Sequence, residues 1–295
     1  MNEALKKLLK SETSLFSSEK IINTEKIASN NNPGCWRIKL ENGKDYFAKI
    51  LFKKDYQRLK FEANGLKKLR QFSDKKYIYI PKPIELLNIL EYSILITEYL
   101  DLENGNQSLL GKGIAMIHKK SSLSNNKLFG WGEAGYIGLG DQMKGWDENW
   151  GDSYVNLRLK PQIKLYYKNG FKLDTIEDLL EKIKNYLNSC NCIPALVHGD
   201  LWSGNIATTN SNLGILIDPA VWWADREVDL SMSTLFGGFS VDFYSSYNEV
   251  WPLEKSWEDR IDIYNLYHLL NHANIFGGSY VNNVIKTIKR IENKL

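Results

Sequence analysis

The sequence predicts an α+β fold in two lobes: a small β-rich N-terminal lobe with one main helix over residues 1–100, and a larger, mostly helical lobe over 101–295. Three observations predict it. Strand-like runs and turn residues crowd the N-terminal third, helical periodicity takes over from Gln107, and 43% hydrophobic residues in a chain of 295 can fill one large or two modest cores.

Taken in order, Met1 to Phe16 mixes Lys and Glu among a few leucines and reads as a short amphipathic helix, not a signal peptide. Ile21–Ile27, Cys35–Leu40 and Asp45–Ile50 read as strands, the last two joined through Asn42-Gly43, a favoured two-residue hairpin turn. Leu59, Leu66 and Leu69 share one side of a helix over Lys54–Phe72. Ile84–Leu90 and Tyr92–Leu100 make a second hairpin, giving about five antiparallel strands. Beyond them Leu110, Ile114 and Ile117 predict a helix over Ser108–His118. Ser121–Trp150, rich in Gly, Asn, Ser and Trp, reads as irregular. Further helices are expected over Gly151–Lys168, Thr175–Asn188, Glu227–Phe236, Ser256–Phe276 and Asn282–Asn293. Between them a hairpin pairs Asn205–Thr209 with Leu213–Ile217 about the turn Asn210-Ser-Asn212.

Composition narrows the classes. A net charge of +3, with lysines scattered along helical stretches, leaves no nucleic-acid footprint. Cys35, Cys190 and Cys192 form an odd set without C-x-x-C spacing, which argues against a disulfide scaffold or zinc site and suits a reducing, cytoplasmic compartment. No apolar run reaches membrane-spanning length, so no membrane association is expected.

The chemistry is concentrated in Leu196-Val-His-Gly-Asp-Leu-Trp-Ser-Gly-Asn205 and Gly214-Ile-Leu-Ile-Asp-Pro219. Asp200 and Asn205 have four residues between them, the catalytic-loop spacing of protein kinases. A loop of that length can aim the Asp at an acceptor hydroxyl and the Asn oxygen at a metal. Asp218 ends the apolar run Ile215–Ile217, where a carboxylate is fixed as a magnesium ligand must be. Such a layout also needs a strand lysine for the nucleotide phosphates and a helix glutamate to hold it; Lys49 and Glu62 supply them. A phosphate-covering turn falls at Ser29–Trp36, with Gly34 its one glycine and asparagines that tolerate left-handed backbone. The hinge lies near Thr97–Leu100, where main-chain groups of Glu98, Tyr99 and Leu100 could meet an adenine edge.

These segments resemble the fructosamine kinase (ketosamine 3-kinase) family, in the aminoglycoside-phosphotransferase-like branch of the protein-kinase-like fold. The resemblance covers most of the chain and is densest in His198–Asn205, Ile217–Leu230, Leu235–Phe239, Leu266–His272 and Phe276–Tyr280. Leu201-Trp202 is its most specific part. The single Gly34 departs from the glycine-rich turn usual in the family. The resemblance implies ATP- and Mg2+-dependent phosphorylation of the sugar 3-hydroxyl of ribulosamines, erythrulosamines or fructosamines, a deglycation role. It makes Asp200 the base, Asn205 and Asp218 the metal ligands, and Lys49 with Glu62 the phosphate-orienting pair. The partner is then a small-molecule ketosamine or a glycated protein lysine, with no obligate protein partner evident. Trp202, Trp222 and Trp223, near the catalytic residues in sequence, have aromatic faces suited to sugar rings and aminium groups. Arg226 and Asp229 read as anchors of the loop after Asp218, His198 as a brace, His118 as a hydrogen-bonded structural histidine, and His268 with His272 as packing. The rival readings are an aminoglycoside or choline phosphotransferase of the same fold, a pseudokinase binding module, and a metal phosphoesterase using His198 and Asp200.

Overall fold

The structure, a computed structural model, describes residues 16, 18–28, 34–174 and 176–295. The expected N-terminal helix, apart from Phe16, and residues 29–33 of the expected phosphate turn lie outside them. The chain divides into two compact units, one drawn from residues 1–71 and 80–103, the other from 72–79 and 104–295.

In the first unit β1 (Ile21–Ala28), β2 (Gly34–Leu40) and β3 (Asp45–Phe52) precede helix α1 (Tyr56–Phe72). The two-residue β4 (Ile78–Tyr79) belongs to the second unit; β5 (Pro83–Ile89) and β6 (Tyr92–Glu98) complete the first. The antiparallel sheet runs β1-β2-β3-β6-β5. The β2–β3 connection is one residue longer than the expected two-residue turn. Leu40 N–H donates to Lys44 O and Gly43 N–H to Leu40 O, so Glu41, Asn42 and Gly43 form the loop, with Gly43 at φ 80°. Ending a three-residue hairpin loop in the left-handed region is what asks for glycine there. Alternation along β3 buries Ala48 and Ile50 against Ile38, Leu40, Ile94 and Ile96 on one face. The other face carries Leu51 and Leu95, which meet Leu59 and Ala63 of α1. Lys49 pairs across the sheet with Leu95, which puts it on this helix-covered face.

The second unit begins its run of helices with α2 (Ser108–Ser122). The stretch expected to be irregular holds four three-residue strands, β7 (Phe129–Trp131), β8 (Gly135–Ile137), β9 (Gly140–Gln142) and β10 (Gly145–Asp147). Their glycines are close-approach positions: a Cβ on Gly130 would lie 2.0 Å from the Gly145 carbonyl oxygen. Helix α3 (Trp150–Tyr154) passes through a π-helical turn, Val155–Leu159, into α4 (Lys160–Lys168). Pro161 explains the interruption. Lacking an N–H, it cannot serve Leu157 O one turn back, and Arg158 Nη1 takes that carbonyl instead at 2.9 Å.

Helix α5 (Ile176–Ser189) leads to β11 (Ala195–Val197), and β12 (Ile206–Thr208) and β13 (Gly214–Leu216) form the anticipated hairpin. Strand β14 (Trp222–Ala224) sits between β7 and β11 in the sheet β10-β7-β14-β11, and β13 also pairs with β4. Helices α6 (Glu227–Leu235), α7 (Val241–Val250), α8 (Trp257–Phe276) and α9 (Ser279–Glu292) follow. Helix α7 was not anticipated, because half of its residues are aromatic or Ser, and Val, Asp and Asn make up most of the rest, all weaker helix formers. Its N-terminus is capped: Ser240 Oγ accepts from Phe243 N–H at 3.3 Å. It lies so close on α2 that a Cβ on Gly111 would come 2.2 Å from Phe243 O. Among the described residues no helix is long and apolar enough to cross a membrane.

Candidate active site

The loop after β11 is fixed from below by one carboxylate. Asp229, 0% exposed, accepts from His198 N–H at 2.7 Å, Gly199 N–H at 2.8 Å and His118 Nε2 at 3.1 Å. Burial alone would raise its pKa, but these hydrogen bonds outweigh burial and hold it below the ordinary carboxylate value. Gly199 adopts φ 82°, and a Cβ there would meet Ala220 O at 2.1 Å, so no other residue fits the bend before Asp200.

His198 ties the loop to the strand that ends in Asp218. Its Nδ1 accepts from Asp200 N–H at 3.3 Å, so its proton sits on Nε2, which donates to Ile217 O at 2.9 Å. Burial pushes its pKa below the usual value, and the ring stays neutral. Ile217 N–H in turn donates to Asn205 O at 3.1 Å. Both backbone groups of Ile217 are therefore committed to the catalytic loop, and Asp218 is the next residue along the chain.

Asn205 is 5% exposed, in a 3-10 turn over Ser203–Asn205. Its Nδ2 donates to Asp200 O at 2.9 Å and to Asp200 Oδ2 at 3.0 Å. This sets the Asp200 carboxylate and leaves the Asn205 amide oxygen without a hydrogen bond among the described residues. Asp218 has φ 52°, in a left-handed region that non-glycine residues rarely enter. Such strain persists only where surroundings impose it, and it gathers at functional sites. An amide oxygen and a carboxylate suit a hard divalent cation that completes its shell with water and phosphate oxygens. Among the described residues no three His, Cys, Asp or Glu side chains gather as an all-protein metal cage.

In the first unit Lys49 Nζ lies 2.8 Å from Glu62 Oε2, with side chains 16% and 13% exposed. Glu98 N–H is already bonded to Lys82 O at 3.2 Å and its carboxylate to Lys82 N–H at 2.9 Å. Tyr99 lies under the Arg37 guanidinium, 4.1 Å from the ring centroid, and Leu100 follows in the loop.

The tryptophans need correction. Trp202 keeps an exposed face (37%) and folds over Gly204, whose hypothetical Cβ would lie 2.3 Å from the indole. Trp222 and Trp223 are 0% and 4% exposed. Arg158 stacks on Trp222 at 3.8 Å, Trp150 packs on it at 5.5 Å, and Trp223 meets Phe72 at 6.0 Å. Successive residues of a strand point to opposite faces, and both faces of β14 are covered. Their indoles belong to the core rather than to an acceptor surface. Arg226 is structural, as expected: it donates to Trp251 O at 2.7 Å and Pro252 O at 2.6 Å. His268 is fully buried with neither ring nitrogen hydrogen-bonded among the described residues, and His272 Nδ1 donates to His268 O at 2.8 Å. That Asp229 holds the first two loop amides, those of His198 and Gly199, was beyond the sequence, because these partners are backbone groups that no motif spells out.

The sequence matches the fructosamine kinase family over residues 1–294. A probable ketoamine kinase of Vibrio parahaemolyticus is 35% identical over 250 residues, 83% of this chain and 84% of its own length. A chloroplastic protein-ribulosamine 3-kinase of Arabidopsis thaliana is 35% identical over 201 residues, 66% of this chain and 61% of its own. The crystal structure of a candidate fructosamine-3-kinase from Haemophilus somnus aligns over 92% of both chains with TM-score 0.82 and 26% identity. An amicoumacin kinase solved with AMP-PNP and Ca2+ shares the fold at TM-score 0.58 and 14% identity. The fold is thus that of the protein-kinase-like phosphotransferases, and the chain belongs to the fructosamine kinase family.

Proposed function

We propose that this kinase transfers the γ-phosphoryl group of ATP to the 3-hydroxyl of ketosamines, and that the product's instability serves deglycation. The observation that carries the reading is the double hydrogen bond from Asn205 Nδ2 to Asp200, which fixes a carboxylate at the end of a loop of kinase spacing. Asp200 accepts the acceptor hydroxyl proton as the sugar oxygen bonds to the γ-phosphorus and ADP leaves. The Asn205 amide oxygen and the Asp218 carboxylate are the protein ligands for Mg2+, which when bound neutralises charge on the nucleotide phosphates. Lys49, held by Glu62, takes a phosphate oxygen. Main-chain groups of Tyr99 and Leu100 serve the adenine edge; Glu98 N–H is spoken for by Lys82. The phosphate on the third sugar carbon is a better leaving group than hydroxyl, so the product eliminates it and releases its amine. Cys35, Cys190 and Cys192 as thiols rather than disulfides fit a cytoplasmic setting.

The relatives' names support the substrate class, and the exposed indole of Trp202, two residues after Asp200, offers a face to a sugar or an aminium group. The test is a panel of ribulosamines, erythrulosamines, fructosamines, choline and an aminoglycoside, assayed with ATP and Mg2+. Ketosamines should outperform the other acceptors, and Asp200→Asn should lower kcat by ~10²–10⁴-fold while ATP still binds. A better rate with choline or the aminoglycoside would overturn the substrate class; near-normal turnover by the variant would remove Asp200 as the base.

A further inference from the structure

Trp202 is the first ring in a run of aromatic contacts that leads away from the catalytic loop. Its indole lies 6.0 Å from Phe236, Phe236 lies 5.0 Å from His272, and His272 lies 5.1 Å from Tyr280 and 5.8 Å from Phe276. Phe276 is 62% exposed, Trp202 and Phe236 are each 37% exposed, and His272 and Tyr280 are half-buried. Scattered exposed apolar side chains need no explanation, but contiguous aromatic rings that reach the surface do.

Two glycine pairs set the row in place. Phe236-Gly-Gly-Phe239 and Phe276-Gly-Gly-Ser-Tyr280 both turn through left-handed backbone, at φ 71° and 91° for Gly237 and Gly238 and at 62° and 60° for Gly277 and Gly278. The first elbow rests on the catalytic loop itself, since a Cβ on Gly238 would lie 2.5 Å from Ser203 Cβ. The second gathers Phe276 and Tyr280 against His272, with those two rings themselves 6.1 Å apart. His272 carries its proton on Nδ1, bonded to His268 O, and burial holds its pKa below the usual value, so the ring adds no positive charge.

A ketosamine has two ends. Its sugar must face Asp200, and its secondary amine, protonated at neutral pH, continues into whatever alkyl chain the amine brought. Aromatic faces attract such a cation, and the same faces cover methylene groups. We propose that Phe236, His272, Phe276 and Tyr280 continue the acceptor site outward from Trp202 and receive the protonated amine with its alkyl arm, as in a glycated lysine side chain. This rests on the reading of the chain as a ketosamine kinase.

The test uses one sugar on two amines, methylamine and Nα-acetyl-lysine, with kcat and KM measured for the wild type, Phe276→Ala and Tyr280→Ala. Thermal melts confirm that the variants fold. The ratio of kcat/KM for the lysine adduct to that for the methylamine adduct should fall about tenfold in Phe276→Ala, mostly through KM. Tyr280→Ala should shift it in the same direction. A ratio within about twofold of wild type in both variants overturns the inference and leaves ketosamine kinase activity standing. A wild type that binds ATP but phosphorylates neither adduct overturns the functional reading, and the inference falls with it.

Discussion

Asp229→Asn is the substitution that separates support of the catalytic loop from chemistry on it. Asp229 Oδ1 accepts from Gly199 N–H, and Oδ2 from His198 N–H and His118 Nε2. An asparagine keeps the shape but replaces one oxygen by NH2. If the NH2 takes the Oδ1 place it faces the Gly199 donor. In the Oδ2 place it faces His198 N–H, while His118 can adapt by moving its proton to Nδ1, toward Tyr247 OH at 2.9 Å. At least one buried backbone N–H is left unsatisfied either way, at a cost of about 1–3 kcal/mol, and the surviving bonds lose their charge assistance. Asp229→Ala orphans all the donors and should cost more, about 3–5 kcal/mol, a large share of a typical ~5–15 kcal/mol stability. Urea unfolding gives the stabilities, and kcat on a ketosamine gives the catalytic loss. In Asp229→Asn kcat should fall at least about tenfold, because the amides it holds lead directly to Asp200. A variant within ~0.5 kcal/mol of wild type and with unchanged kcat would refute the idea that Asp229 fixes the loop.

Stability should also fall as pH drops from 7 to 5. Burial lowers the pKa of His198, His272 and His268, the last to about 3, against an ordinary 6.5. The unfolded chain therefore binds protons that the folded one refuses. The stability carried by these neutral rings is full above the unfolded value and is lost as pH falls through it toward the folded ones. For His268 alone the loss is about 2 kcal/mol between pH 7 and 5. Urea unfolding across that range should show a shallower slope in His268→Leu; equal slopes would contradict it. Elsewhere, Arg260 grips Glu227 bidentately at 2.6 and 2.7 Å with both side chains at most 5% exposed. Arg260→Met alone should cost about 3–5 kcal/mol by stranding the carboxylate, and adding Glu227→Gln should recover much of it in thermal melts. A double variant no more stable than the single one would show that the two do not depend on each other.

What the sequence revealed depended on how the information is written. Asp200, Asn205 and Asp218 were legible because spacing alone encodes a loop followed by a strand end. The five strands around Lys49 and the helix bearing Glu62 were legible because alternation and helical period run for six residues or more. The strands between Phe129 and Asp147 were not, because three-residue strands are shorter than any period and their glycines read as loop. Helix α7 lacked propensity, and its one signal, Ser240, is a common residue. Asp218 was placed at the end of the apolar run Ile215–Ile217, yet the strand stops at Leu216 and Asp218 itself carries the strained φ. No residue pattern announces a left-handed aspartate.

The misassigned indoles follow from a chain of causes that begins far from the catalytic loop. Pro161 deprives Leu157 O of its helical donor, and Lys160 N–H reaches five residues back to Val155 O through the π turn. Arg158 fills the gap with Nη1, and the same nitrogen reaches Met143 O at 3.1 Å. That fixes a guanidinium at 1% exposure with no carboxylate in salt-bridge range among the described residues, and burial lowers its pKa to about 10. A buried cation needs compensation. The Trp222 face, 3.8 Å away, supplies part of it, and its other neighbour is Trp150. Trp222 cannot turn outward without abandoning Arg158, and Arg158 cannot leave without exposing the break at Pro161. Sequence proximity to Asp218 therefore says nothing of its role. Of the three tryptophans, Trp202, folded over Gly204, is the one that keeps an exposed face.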